Sequence, residues 1–176
     1  EPRDTLYTDP LSEHGLFTFD DSVARVFPDM IKRSVPGYAT IVSMTGLLAG
    51  KYAVAGSALY DLGCSLGAST LAMRRHIQQP ECRIISVDNS SAMLERCQSI
   101  IDTDTHETPV TLTCADVQDV VITNASVVVL NFTLQFIPRE LRDHVISAIY
   151  RGLLPGGIMV LSEKVTFEDP HLDALN

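Results

Sequence analysis

The sequence predicts an α/β domain in which a mostly parallel sheet carries helices on both faces, behind an N-terminal helical cap. Three observations predict it. From residue 58 on, short and nearly continuous apolar runs alternate with segments of helical spacing, the pattern of strands buried on both faces and joined by crossover helices. Residues 1–56 lack such runs and read as helical, punctuated by Pro28 and Pro36. A chain of 176 residues, 45% hydrophobic and 20% charged, has the length of one domain and enough apolar side chains for an ordinary core. The expected division is a cap or lid over 1–56 and a ligand-binding core over 57–176, together one compact unit.

Each element has its own justification. In the cap, Asp20, Asp21 and Ser22 are N-cap candidates for a short helix carrying Val23, Val26 and Phe27, because their side chains can accept from the orphan amides of a first turn. Pro28 ends that helix or begins the next, since proline lacks the amide a helix interior requires. Tyr38 to Gly50 reads as an apolar helix with Ile41, Val42, Met44, Leu47 and Leu48. The strand runs are Ala58 to Leu62, Ile84 to Asp88, Val110 to Cys114, Ser126 to Asn131 and Ile158 to Ser162, the last announced by Leu154-Pro155-Gly156-Gly157. Between them Met93, Cys97, Ile100 and Ile101 follow helical spacing, as do Leu141, Val145, Ile146, Ile149 and Leu153 in a helix opened by Pro138 at a first-turn position. Apolar runs such as Val127 to Leu130 suit buried strands and fall far short of the roughly 18 residues of a membrane span.

Charge and cysteine usage narrow the function classes. Twenty-two acidic against thirteen basic residues give a net charge of −9, and no basic run is longer than Lys32-Arg33 or Arg74-Arg75. Tight nucleic-acid binding needs several cations on one face, so this balance argues against direct contact with RNA or DNA. Cys64, Cys82, Cys97 and Cys114 form no CxxC pair and have no histidine at metal-ligand spacing. They read as reduced cytosolic thiols, mostly in the core, and no metal is expected.

In an open parallel sheet the ligand site lies outside the carboxyl ends of the strands. Those ends here are Asp61-Leu62-Gly63-Cys64-Ser65-Leu66-Gly67, then Asp88-Asn89, Asp116-Val117, Asn131, and Ser162-Glu163-Lys164. Gly63 and Gly67 allow backbone to approach a ligand closely. Asp88, 88 − 67 = 21 residues past the last glycine, stands where an acid accepts from both hydroxyls of a ribose. Asp116 on the next strand could accept from an exocyclic amine of a base, so the three together describe an adenosine site. Two other nucleotide readings fail, because G-x-G-x-x-G is not met and no GK[ST] follows. Gly63-Cys64-Ser65-Leu66-Gly67 does match the G-x-S-x-G nucleophile elbow, but a hydrolase would need a later histidine at a strand end, and only His144 and His171 occur late.

These residues carry a resemblance. The D-L-G-x-x-x-G turn, the acids ending strand two and following strand three, and L-L-P-G-G before strand five resemble the Rossmann-like class I S-adenosylmethionine-dependent methyltransferases, with Ser65 where many members have glycine. VFPDMIKRSVPGY (Val26 to Tyr38), YDLGCSLG (Tyr60 to Gly67), VDNS (Val87 to Ser90), NASVVVLNFTLQF (Asn124 to Phe136) and LSEK (Leu161 to Lys164) resemble the carboxy-S-adenosyl-L-methionine synthase family, from about Phe17 onward.

The resemblance implies a transferase that combines S-adenosyl-L-methionine with prephenate, giving carboxy-S-adenosyl-L-methionine and phenylpyruvate. A proton leaves the sulfonium methyl and the ylide captures carbon dioxide from prephenate. The product serves a partner enzyme that carboxymethylates the wobble uridine of certain transfer RNAs, so the protein itself need not touch RNA. It also implies a cytoplasmic homodimer, no membrane and no metal. By position, the family's product contacts fall on Tyr38, Gly63, Cys64, Ser65, Asp88, Asn89, Asp116, Val117 and Asn131, with Tyr38 donating to the new carboxylate. The family fold adds two strands after the fifth and an arginine reaching the carboxylate. This chain, ending at Asn176, is therefore expected to be a fragment or the ordered part of a longer one, with Arg25, Lys32 and Arg33 as the cations near the lid. An ordinary methyltransferase and a non-catalytic nucleoside-binding scaffold are the alternative readings.

Overall fold

Five strands pair side by side in parallel: β1 Ala58–Leu62, β2 Arg83–Asp88, β3 Val110–Cys114, β4 Ala125–Asn131 and β5 Leu153–Ser162. Their order is β3-β2-β1-β4-β5, which puts the switch in winding direction between β1 and β4. Helix α1 Tyr38–Tyr52 precedes β1, and three helices lie between strands: α2 Ala68–His76, α3 Ser91–Ile101 and α4 Arg139–Gly152. The computed structural model describes residues 27, 29–31, 33–165, 167, 169 and 171, and of these 27, 29–31, 33, 34 and 171 are also helical. The cap helix expected near Asp20, Asp21 and Ser22 lies outside the described residues, apart from Phe27. Among the described residues no helix is long and apolar enough to cross a membrane.

The period-two alternation of the central strands builds two cores, one on each face. Ala58, Tyr60, Leu62, Val128 and Leu130 join Val145 and Ile149 of α4 on one side. Leu59, Ile84, Val127 and Val129 join Ala49 of α1 and Met73 of α2 on the other. Every residue of β1 is buried, as a central parallel strand requires.

Four details differ from the expectation. The large residues of α1 are not all core: Met44 is 48% and Leu47 51% exposed, while Thr45, Gly46 and Ala49 are buried. A Cβ on Gly46 would lie 2.6 Å from the Ala72 carbonyl oxygen, and one on Gly50 2.7 Å from that of His76. The helix therefore buries its small stripe to reach α2 and leaves its bulk outside. Ile100 likewise faces solvent on α3, whose buried side is Met93, Leu94, Cys97 and Ile101. Pro138 precedes α4 in extended conformation (φ −50°, ψ 138°) instead of lying in its first turn, and Leu153 begins β5. β5 itself starts earlier than Ile158, with an irregular register opposite Ala125–Val127.

A carboxyl group sits inside this core. Asp61 is 2% exposed; its Oδ2 accepts from the Thr70 hydroxyl at 2.6 Å, and the Ser86 hydroxyl, 2.7 Å from Thr70 Oγ1, is left to donate to it. Burial pushes the Asp61 carboxyl up to about 6, against the hydrogen bonds from the Thr70 hydroxyl and amide, with the charge of Asp88 adding to the rise. An unfolded aspartate titrates near about 3.9, so between those values the folded chain holds the extra proton. The stabilisation is full below the unfolded value and is lost as pH rises through about 6. Denaturant unfolding at about pH 5 and about pH 7.5 should therefore show the wild type gaining about 1 kcal/mol relative to Asp61→Asn at the lower pH. Equal pH dependence in the two proteins would contradict the raised value.

Candidate functional site

A cavity of about 700 Å³ opens at the carboxyl ends of the strands, in the size range of small-molecule sites. Tyr38, Gly63, Cys64, Ser65, Asp88, Asn89, Asp116, Val117 and Asn131 all lie on its wall. The sheet brings together what the chain spreads over almost a hundred residues.

The turn after β1 is fixed by its own amides. Gly63 N and Cys64 N both donate to the Val87 carbonyl, at 2.8 and 2.9 Å, and Gly67 N donates to the Cys64 carbonyl at 2.8 Å. Ser65 N donates to Asp88 Oδ2 at 2.8 Å. Gly63 and Gly67 have φ of +79° and +81°; a Cβ on the first would collide with the Thr133 side chain, and one on the second would lie 2.7 Å from Cys97 Sγ. Ser65, at φ +51°, adopts the left-handed conformation without a glycine's freedom, which costs roughly 1–2 kcal/mol. Its hydroxyl rests 3.6 Å from Met93 Sδ.

Asp88 is both a loop anchor and a wall of the cavity. Besides Ser65 N it accepts from Ser90 N through Oδ1 at 3.0 Å, and Ser90 caps α3 by accepting from Met93 N. Burial raises the Asp88 carboxyl while the Ser90 and Ser65 amides hold it down. Each oxygen retains a lone pair, so a pair of ribose hydroxyls can still be read. Asp116 takes 2.8 Å donation from Asn89 Nδ2, joining the ends of β2 and β3 at the rim. Asn131 is committed inward: Nδ2 donates to Thr45 Oγ1 at 3.2 Å and Ser69 Oγ at 3.0 Å, and its buried Oδ1 has no partner among the described residues.

Tyr38 starts α1 and stands with its ring centroid 6.3 Å from that of Phe132. Burial, then the charge of Asp61, pushes its phenol up to about 12, so it acts as a donor. Phe132 has φ +60°, a strained backbone at the cavity wall. Phe27, Met30 and Leu66 pack on Met93, and Phe27 and Met30 also line the cavity.

The hydrolase reading fails on geometry. Ser65 Oγ meets a thioether, no histidine is among the cavity residues, and His144 and His171 are exposed elsewhere. Of the cations expected near the lid, Arg25 and Lys32 fall outside what is described, and Arg33 pairs with Asp29 at 3.4 Å. Among the described residues, the basic one on the wall is Lys164. The sequence places it at a strand end, Ser162-Glu163-Lys164, but the reading gave it no role in the site. Ser69, Phe132 and Thr133 also line the cavity and were not named.

A methyltransferase domain family profile matches residues 59–157. A carboxy-S-adenosyl-L-methionine synthase of Citrifermentans bemidjiense is 60% identical over 95% of this chain and 69% of its own length. That of Aliivibrio salmonicida is 58% identical over 98% of this chain and 71% of its own. Among solved structures, Streptomyces venezuelae DesVI superposes with a TM-score of 0.63 at 17% identity, over 85% of this chain and 60% of its own. CalS10, an amino pentose methyltransferase from Micromonospora echinaspora, gives 0.59 at 19%, over 88% and 60%; these two likenesses speak for the fold. The parallel sheet, the strand-end cavity and identities above one half over nearly the whole chain lead to one assignment: this chain belongs to the carboxy-S-adenosyl-L-methionine synthase family, transferases built on the Rossmann-like class I methyltransferase fold.

Proposed function

We propose that the cavity binds S-adenosyl-L-methionine and that the protein converts it, with prephenate, into carboxy-S-adenosyl-L-methionine and phenylpyruvate, a carboxymethyl donor for wobble-uridine modification of transfer RNA. The observation that carries the nucleoside part is the turn after β1. Its Gly63, Cys64, Ser65 and Gly67 amides are all spent on the protein, so it offers no row of donors for a phosphate. A site with Asp88 and Asp116 on its wall and those amides withdrawn suits a nucleoside that carries no phosphate and bears positive charge. Family membership supports the carboxylation chemistry.

When bound, the sulfonium supplies an acidified methyl carbon. The chain's own part is then to orient, to exclude water and to receive the product. Asp88 holds the ribose, and the Asn89–Asp116 pair borders the base. Phe27, Met30, Ile31 and Phe136 give the cavity apolar walls, which keep water from a carbon that has lost its proton. Tyr38, protonated throughout the working range, donates to the new carboxylate.

Incubating the full-length protein with S-adenosyl-L-methionine, with and without prephenate, tests the reading by mass spectrometry. A prephenate-dependent gain of one CO₂ on the nucleoside supports it; methyl transfer to a nucleic acid or small molecule instead would establish an ordinary methyltransferase. Asp88→Ala should weaken nucleoside binding by about 1.5–3 kcal/mol, the worth of hydrogen bonds to a charged acceptor. Calorimetry on the folded variant with unchanged affinity would remove Asp88 from the ribose. Tyr38→Phe should leave S-adenosyl-L-methionine binding nearly intact and weaken the carboxylated form, whereas equal losses for both ligands would assign Tyr38 to packing.

A further inference from the structure

The wall of the cavity changes character from one side to the other. Among the described lining residues the carboxylates are Asp88 and Asp116, at and just past the ends of β2 and β3. The strand order is β3-β2-β1-β4-β5. A nucleoside with its base at the Asn89–Asp116 pair and its ribose at Asp88 therefore carries its 5′ substituent onward, over β1 toward β4. Past the glycine turn, the wall met there is Asn131, Phe132, Thr133 and, from α1, Tyr38. The Asn131 amide is spent on Thr45 and Ser69, and the Thr133 hydroxyl donates to the Leu62 carbonyl at 2.9 Å. Asp61, on β1, is 2% exposed and is not among the lining residues. The positive centre of the ligand thus arrives beside aromatic rings and away from the two lining carboxylates.

Phe132 is held there under strain. Its φ is +60°, a left-handed backbone in which a bulky side chain is rarely found. The segment is clamped from several directions. Phe132 N donates to the Ser162 carbonyl at 2.7 Å, and the Phe132 carbonyl accepts from Gln135 Nε2 at 3.1 Å. One carboxylate gathers the next three amides: Glu163 accepts from Leu134 N at 2.6 Å and from the amides of Thr133 and Gln135. Strain that the surroundings over-determine in this way clusters at ligand-binding sites. What the conformation delivers is the ring, which lines the cavity with its centroid 6.3 Å from that of Tyr38 and its plane tilted by 41°. Relaxing φ would swing the Cα–Cβ bond, and the ring with it, out of that direction.

We infer that Phe132 is a specificity-determining residue of this cavity, its ring recognising the sulfonium centre of the ligand through the negative face of the π-system. This deepens the proposed function and rests on it for the ligand's identity. A cation within about 6 Å of a ring centroid is attracted by the ring quadrupole, more strongly where water is excluded. A carboxylate in the same place would also hold the sulfonium, but it would repel an anionic carboxylate donor and stand as a base beside the methyl carbon. The ring does neither. Because it responds to the charge on sulfur, it separates S-adenosyl-L-methionine from the neutral thioether S-adenosyl-L-homocysteine.

The test is calorimetry on the full-length wild type, Phe132→Leu, Phe132→Gly and Phe132→Tyr, with S-adenosyl-L-methionine and S-adenosyl-L-homocysteine as probes. Phe132→Leu keeps apolar bulk and removes the π face. It should lose about tenfold on the sulfonium, the scale of a cation over a desolvated ring, and stay within about twofold on the thioether. Phe132→Gly takes the left-handed backbone freely, so the same shift in the ratio of affinities there separates loss of the ring from a disturbed loop. Phe132→Tyr should keep most of the preference. An unaltered ratio in Phe132→Leu or in Phe132→Gly, whether through equal losses or none, would overturn the inference. Both affinities are read without prephenate. A wild type that binds the sulfonium but never carboxylates it would therefore sink the reaction alone, and an unaltered ratio in a protein that turns over would sink Phe132 alone.

Discussion

The ligand-binding end of this molecule depends on where the carboxylate of Asp88 stands. It is the last residue of β2, and its two oxygens accept from Ser65 in the turn after β1 and from Ser90 at the start of α3. Hydrogen bonds to a charged acceptor are about twice as strong as neutral ones, so three segments are clamped at one point. The Val87 carbonyl just before it takes the Gly63 and Cys64 amides. The end of β2 thus consumes the donors of the glycine turn, and on the proposed reading that consumption sets the ligand class. A dinucleotide turn leaves its amides pointing outward at a pyrophosphate; here they point inward, and what remains on the wall is acid.

The same economy of space governs α1. Gly46 and Gly50 let it approach α2 until a single added carbon would strike backbone. Only at that distance does Thr45, whose own hydroxyl donates to the Ile41 carbonyl at 2.9 Å, accept from Asn131 at the end of β4. Because Thr45 has spent its one hydrogen, the Asn131 amide must turn its nitrogen toward α1. Tyr38, seven residues before Thr45 in the chain, is thereby set on a helix whose position is pinned to the sheet. A larger residue at position 46 would displace Tyr38 from the cavity without touching it.

The strands and the strand-end residues were legible because both are periodic consequences of burial. β1, all buried, announced itself as a continuous apolar run, and the ends of such runs gave Asp88, Asp116 and Asn131. The outward tilt of Met44 and Leu47 was not legible, because helical spacing marks a face as apolar without saying which of two apolar faces meets a neighbour; here the glycines decided it. Nor was the inward commitment of Asn131, which depends on Thr45 and Ser69 from two other helices. Lys164 was placed at a strand end but given no role, for a plainer reason. A lysine just past a strand reads as a solvated end, and only the folding of the 133–136 loop around Glu163 turns that end into a cavity wall.

Net charge gives the polarity of the cavity its force. On the proposed reading, a protein at −9, with Asp88 and Asp116 on the wall of the site, draws in a cationic nucleoside through its whole field and repels anions by the same means. Prephenate, on the proposed reading, is such an anion, so long-range steering works against it. Local recognition has to overcome that repulsion, and screening helps, because a Debye length of about 8 Å at physiological salt confines the field of distant acids more than that of an adjacent ammonium. Once the cationic sulfonium is in place it offsets part of the acidic field. The anion then meets a site less hostile than the empty one, which favours nucleoside first and carboxylate donor second.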